Sequence, residues 1–231
     1  MNLSEAPSVE ANKMTRETDQ ESQIQQAIAT LEADIVFGHL LPREHLIEDS
    51  LRERFGMKRH TVRQILLELE KMGLVERKKN IGALVKSYTI NEVLELYNVR
   101  EILETNCVRQ ISMPVLPEKL EAIIAIQRQH DEAVANMDPH VAFRVNIAFH
   151  KALFALSNNS ILTEFITDAA QRAHVVRSLT LTNPDYLEKA RKDHWDMIDA
   201  LKRQDVEALV VLCRKHLQPS SNAYIERYRL R

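Results

Sequence analysis

The 231-residue sequence predicts a mainly α protein in two parts. A three-helix unit closed by a basic hairpin comes first, and an antiparallel bundle of six helices follows. Three observations predict this. Only four glycines and 5% aromatic residues favour helices over sheets. The stretch FGMKRHTVRQILLELEKMGLV (55–75) is amphipathic at helical spacing, and the basic run ERKKNIGALVK follows it. Beyond Asn91, breaks rich in Pro, Asn and Asp divide the chain into six helical stretches.

The elements of the first part follow in order. Residues 1–21 are polar, with two basic and five acidic side chains, and read as a disordered or loosely held arm. Gln23–Val36 is an amphipathic helix, and His39–His45 is a turn around Pro42. Glu48–Phe55 is a short helix joined to the next by Gly56. In Lys58–Met72, Val62, Ile65, Leu66, Leu69 and Met72 form one apolar stripe. Lys58, Arg59, His60, Thr61, Arg63 and Gln64 are the candidates for DNA contact. Arg pairs with guanine and Gln with adenine in the major groove. Gly73 sits where a left-handed residue ends a helix at little cost. Leu74–Glu76 and Ala83–Lys86 read as two strands, with Arg77, Lys78, Lys79 and Asn80 between them and Gly82 close behind. Segment 58–86 carries eight Lys or Arg against three Glu, a local charge of +5 inside a chain of net charge −2. Positive charge is concentrated where a nucleic acid would lie. Helix, glycine turn, basic helix and basic hairpin together are the layout of a winged helix-turn-helix spanning 22–88.

The second part, 89–231, reads as all helical. Asn91 is positioned to cap a helix to about Ile111, and Pro114 and Pro117 break the chain before a second helix to about Asn136. Asp138-Pro139 opens a third helix to Leu156, and Ser157–Ser160 caps a fourth to about Leu179. Asn183-Pro184 opens a fifth to about Arg203, Asp205 opens a sixth, and Pro219 is expected to end or kink it. Cys107 and Cys213 read as free, buried thiols. No apolar run reaches membrane-spanning length and 1–21 has no signal-peptide core, so a cytoplasmic protein is expected.

Residues 22–88 resemble the DNA-binding domain of the GntR family. Gly38-His39-Leu40-Leu41-Pro42-Arg43 stands against that family's G-x-L-x-P-G turn. Leu51–Leu66 stands against L-A-x-x-F-G-V-S-R-T-P-V-R-E-A-L, Leu69–Val75 against L-x-x-x-G-L-V, and Gly82 against the wing glycine. Arg59 and Arg63 are retained. Arg43, Lys58, His60-Thr61 and Leu67 depart from the pattern. The second part resembles the FCD effector domain of the FadR subfamily, with a helix count closer to its VanR-like branch. The matching residues are Leu96–Glu104, Asn146–Leu153, Ser157-Asn158-Asn159, His194 before Ile198–Leu201, and His216-Leu217.

The resemblance implies a one-component bacterial transcription factor and not an enzyme. It would bind a palindromic double-stranded operator as a homodimer, through the helix at 58–72 and a wing carrying Lys78, Lys79 and Gly82. Repression relieved by a small carboxylate effector is the family default. Asn146 and His150 share a helix face, and with His194 and His216 on later helices they would hold a divalent metal: Zn, with Ni or Mn as alternatives. Asn146 stands where Asp is usual, so the site gains one positive charge and weaker metal binding is expected. Any one of these histidines taken alone reads as an ordinary polar or core residue, and His174 as a packing or pocket residue. Arg100 and Arg172 are candidate effector contacts. Glu104, one turn on, offers Arg100 a purely structural pairing instead. Two other readings remain: a DNA-binding dimer without sensing, and a metal-dependent hydrolase that has no evident general base.

Overall fold

The computed structural model describes residues 9–79, 81–178 and 180–229. Met1–Ser8 of the expected arm, Asn80 of the hairpin and Leu179 of the fourth bundle helix lie outside the described residues. Helix α1 runs over Val9–Val36, so helical backbone extends into the segment read as an arm. Its residues Ile24, Ala27, Ile28, Leu31 and Ile35 are buried at helical spacing. Helix α2 (Glu48–Phe55) ends at Gly56, whose left-handed φ of 65° lets its N–H return to the Arg52 carbonyl. Helix α3 (Arg59–Lys71) buries Val62, Ile65, Leu66 and Leu69 against α1.

Three strands close this unit: β1 (His45–Leu46), β2 (Val75–Lys78) and β3 (Gly82–Val85), in the order β1-β3-β2 and antiparallel throughout. The hairpin stands close to its expected place. β1 lies in a segment read as a turn. Two residues carry no strand periodicity, and their pairing with Leu84 and Ala83 is a long-range event. Leu69 is fully buried at the centre of this core. Leu69→Ala is expected to destabilise the unit by about 2–5 kcal/mol. Chemical denaturation checks this, and a loss below about 1 kcal/mol would place Leu69 outside the core.

The second part contains α4 (Ile90–Arg109), α5 (Pro117–Ala135), α6 (Pro139–Ala155), α7 (Ser160–Arg172), α8 (His174–Arg177), α9 (Pro184–Lys202) and α10 (Val206–Arg229). Thr89, not Asn91, caps α4. Its hydroxyl accepts from the Glu92 N–H at 3.2 Å, and Glu92 returns to the Thr89 N–H at 2.8 Å, a reciprocal capping box. Asp138, Asn159 and Asn183 cap α6, α7 and α9.

Two expectations are corrected. The fourth bundle helix is cut at Ala173 into α7 and α8, which makes seven helices here among the described residues. Ala173 is fully buried and its N–H is shared between the Ala169 and Ala170 carbonyls, a tight turn that directs Val175 into the core of the first unit. Of the two outcomes expected of Pro219, an end to the helix is excluded: α10 continues ten residues beyond it. Beyond the proline, Ser220 bonds the Tyr97 hydroxyl at 2.8 Å, and buried Tyr224 donates to the Tyr88 carbonyl at 2.8 Å. Packing on α4 outweighs a proline cost of roughly 3 kcal/mol. The bundle core is built from Cys107, Val108, Ile123, Phe149, Leu153, Met197, Ile198 and Leu201. Both cysteines are free and buried.

Candidate effector site and nucleic-acid interface

α6, α9 and α10 bring His150, His194 and His216 together. One ring nitrogen from each lies within 4.8 Å of the others. His150 Nε2 and His216 Nε2 are 3.1 Å apart. Zn–N bonds of about 2.0–2.1 Å at the tetrahedral angle put ligand nitrogens roughly 3.3 Å apart, a separation that the His150–His216 pair matches. Second partners orient two of the rings. His194 Nδ1 lies 2.8 Å from Gln127 Oε1, so it carries the proton, and the buried Nε2 is left without a partner. His216 Nδ1 faces Asp193 Oδ2 at 3.1 Å. Burial raises the Asp193 carboxyl, but its bonds to His216 and Lys189 outweigh that and leave it below its ordinary value. Burial, reinforced by the neighbouring histidines, holds His150 and His194 well below the usual imidazole range. Neutral rings have lone pairs to offer.

Asn146, one turn before His150, is buried, and its Nδ2 has no partner. A half-turn of the amide puts an acceptor oxygen in the same place. Three imidazoles, those of His150 and His194 held neutral by burial, with an amide oxygen therefore fit a divalent cation. His130 adds a fourth ring, 5.0 Å from His194 centroid to centroid, with burial lowering its pKa to about 4. Gln127, His130 and Asp193 escaped the sequence reading. Only Asp193, next to His194, carried any sequence signal.

Two cavities flank this cluster, of about 70 and about 390 Å³. Arg100, Asn146, His150 and Arg177 line both. Arg100 is buried and held by Glu104, through Nη2 at 2.9 Å and Nε at 3.0 Å. Burial opposes its charge, and Glu104 and Tyr97 outweigh that. The structural pairing and the position on the cavity wall are thus both realised. Arg172 does not line either cavity. It is exposed at the end of α7 and packs on Gly73, where a Cβ would meet its Cγ at 2.8 Å. Only glycine fits there, with φ of 74° and the Tyr88 hydroxyl bonded to its carbonyl at 3.0 Å. The second arginine of the cavities is Arg177, on α8. Sequence periodicity could not find it, because the break at Ala173 reorients the chain. His174 is buried and meets Glu32 of α1 at 2.8 Å. Burial lowers its pKa, partly countered by Glu32.

On the first unit, Lys58 is the exposed residue before α3, and Arg59, His60, Arg63 and Gln64 are exposed on the helix. Thr61 is buried at 4% exposure and faces the core, which corrects its placement among the DNA contacts. Arg59 reaches Asp49 at 3.0 Å, and Arg63 reaches Glu48 at 2.9 Å. Arg52 and Arg59 hold the Asp49 carboxyl below its ordinary value. A surface cleft lined by Arg63, Arg77, Lys78, Lys79 and Gly82 joins α3 to the wing. No described helix is long and apolar enough to cross a membrane.

Comparison with known proteins agrees with this arrangement. Residues 95–219 match the FCD domain, and residues 23–85 match the family described as bacterial regulatory proteins, gntR family. YdhC of Bacillus subtilis (strain 168), an HTH-type transcriptional regulator, is 26% identical over 172 residues, 74% of this chain and 77% of its own. The structure of E. coli McbR/YncC superposes with a TM-score of 0.75 at 22% identity, over 89% of this chain and 98% of that one. A Rhodococcus sp. RHA1 protein described as a transcriptional regulator, GntR, gives 0.75 at 24% identity, over 90% and 100%. These two likenesses show the fold. With a winged helix-turn-helix at its start and an FCD domain behind it, the chain belongs to the GntR family, FadR subfamily, of DNA-binding transcriptional regulators.

Proposed function

We propose that this regulator is a repressor that binds a palindromic operator as a homodimer and loses affinity when a small carboxylate occupies the helical domain. His150, His194 and His216, with the Asn146 oxygen, would hold a divalent cation beside the two cavities. A cation there would supply a Lewis-acidic anchor for an anion. Arg100 and Arg177 present guanidinium groups to the same space. Exposed Leu94 and Ile102 on α4, and Ile161 and Phe165 on α7, offer apolar surface to a second copy.

One observation carries the sensing role: the larger cavity is walled by both parts of the chain. Glu32 of α1 lines it together with Arg100, His150 and Arg177. A ligand there touches the helix that supports α3, and α7, on the same wall, ends at Arg172 against Gly73. Binding that favours one arrangement of these contacts shifts the equilibrium between DNA-competent and DNA-incompetent states. A bundle serving only for dimerisation has no use for such a space.

The test is fluorescence anisotropy with a duplex selected from a random library. It is run on metal-free protein, on Zn²⁺-loaded protein, and on loaded protein with a panel of carboxylic acids. At least one acid is expected to weaken operator binding tenfold or more, with a smaller effect in metal-free protein. Operator affinity indifferent to metal and to every acid would leave only the DNA-binding role.

A further inference from the structure

We infer that Leu67 is a base-reading residue, which packs on the 5-methyl group of a thymine in the major groove. This rests on α3 being the reading helix and names one base that it selects.

Position on the helix carries the inference. Counted from Arg59 at about 100° per residue, Arg63, Leu67, His60 and Gln64 project at roughly 40°, 80°, 100° and 140°. Leu67 thus stands at the centre of the outward face, not at its border with the core. Val62, Ile65, Leu66 and Leu69 are buried at 3% exposure or less, whereas Leu67 is 40% exposed. A lone exposed leucine is ordinary on a protein surface, and its setting decides what it does. Among the described residues it is the one large apolar side chain exposed on α3. Arg59, His60, Arg63 and Gln64 are exposed on the same face, and Lys71, one turn on, is held by Glu68 at 2.8 Å. A protein partner would need a broader apolar patch than one leucine framed by cations. A polyanion that carries isolated methyl groups suits this face.

Base chemistry decides the ligand. In the major groove guanine, adenine and cytosine offer only hydrogen-bonding groups, and thymine adds its 5-methyl. Against leucine the hydrogen-bonding groups would lose water without gaining a partner, whereas the methyl gains an apolar contact. Four residues advance a helix by about 6 Å. Successive bases are about 3.4 Å apart along a strand. Leu67 therefore meets a thymine within about two base pairs of the base that Arg63 reads.

The experiment is anisotropy of the full-length protein on a palindromic duplex selected from a random library, with each thymine in turn replaced by deoxyuridine in both half-sites. Uracil lacks only the methyl, which lies in the major groove, so phosphate and minor-groove contacts are left in place. One thymine per half-site is expected to be sensitive. Loss of its methyl should weaken binding about threefold to fourfold per half-site, and about tenfold for both. Leu67→Ala is expected to bind the thymine duplex about tenfold more weakly and to lose the preference for thymine over uracil, while Leu67→Met keeps most of it. Circular dichroism checks folding. Should Leu67→Ala fail to fold, Leu67→Gln, of similar length, is read in the same way. A selected duplex with no thymine, a wild-type protein indifferent to every uracil, or a uracil penalty unchanged in the folded variant overturns the inference. If Arg63→Ala still weakens binding, such a result leaves α3 as the reading helix; if it does not, that reading falls as well.

Discussion

Arg59→Ala and Arg63→Ala are each expected to weaken operator binding about ten- to hundredfold, with the protein still folded. Both side chains stand exposed on α3, on the face opposite Val62, Ile65 and Leu69. Their present partners, Asp49 and Glu48, sit at the start of α2. These are exposed ion pairs and hold their geometry weakly, so a base edge or phosphate can replace the carboxylates at little cost. Anisotropy on the selected duplex measures the loss, and size-exclusion chromatography with thermal melting establishes that the fold is intact. Wild-type affinity in both variants would remove α3 from the role of reading helix. Thr61 is not expected to join them: it is buried, and Thr61→Ala should act on stability before it acts on DNA.

Asn146→Asp is expected to tighten Zn²⁺ binding by about tenfold or more, an equivalent of about 1.4 kcal/mol. Asn146 is buried one helical turn from His150, beside a cluster in which His150 and His194 are held neutral. Such a set gives a bound divalent ion no negative ligand. A carboxylate at 146 would supply one in a site screened from water, where charges interact more strongly than at the surface. The same change should weaken anionic effectors, because it cancels one unit of the charge that attracts them. Calorimetry with Zn²⁺ on both proteins reads the first effect, and His194→Ala provides the metal-free reference. Equal or weaker Zn²⁺ binding in Asn146→Asp would exclude position 146 from the ligand set.

Much of the first unit was readable from residue order. The short helix Glu48–Phe55 stands at its expected bounds, and α3 falls one residue inside its expected limits at each end. An apolar stripe at helical spacing is a local property, and a terminating glycine is another. The strand β1 was not readable, because two residues show no periodicity and acquire strand geometry only by pairing with β3. Pro219 was read by its local cost, and the packing of Tyr224 and Leu217 against α4 set that cost aside. Thr89 and Asn91 both carry capping side chains, and Glu92 three residues after Thr89 decided between them.

The candidate site divides in the same way. Asn146 and His150 share a helix face by spacing alone, and the family pattern added His194 and His216. The order of residues by itself determined the helical class, the basic helix at 58–72 and the face shared by Asn146 and His150, because these depend on short-range spacing; the family, His194 and His216 came from the resemblance. Only the tertiary structure decided that the histidine nitrogens converge within 4.8 Å, that Gln127 and Asp193 orient two of the rings, and that Glu32 of the first unit walls the larger cavity. It also exchanged Arg172 for Arg177, because the turn at Ala173 sends one arginine to Gly73 and the other inward. The physical reason is that periodicity states which face of a helix is apolar. It does not state which helix will lie against that face, and a site is made of those neighbours.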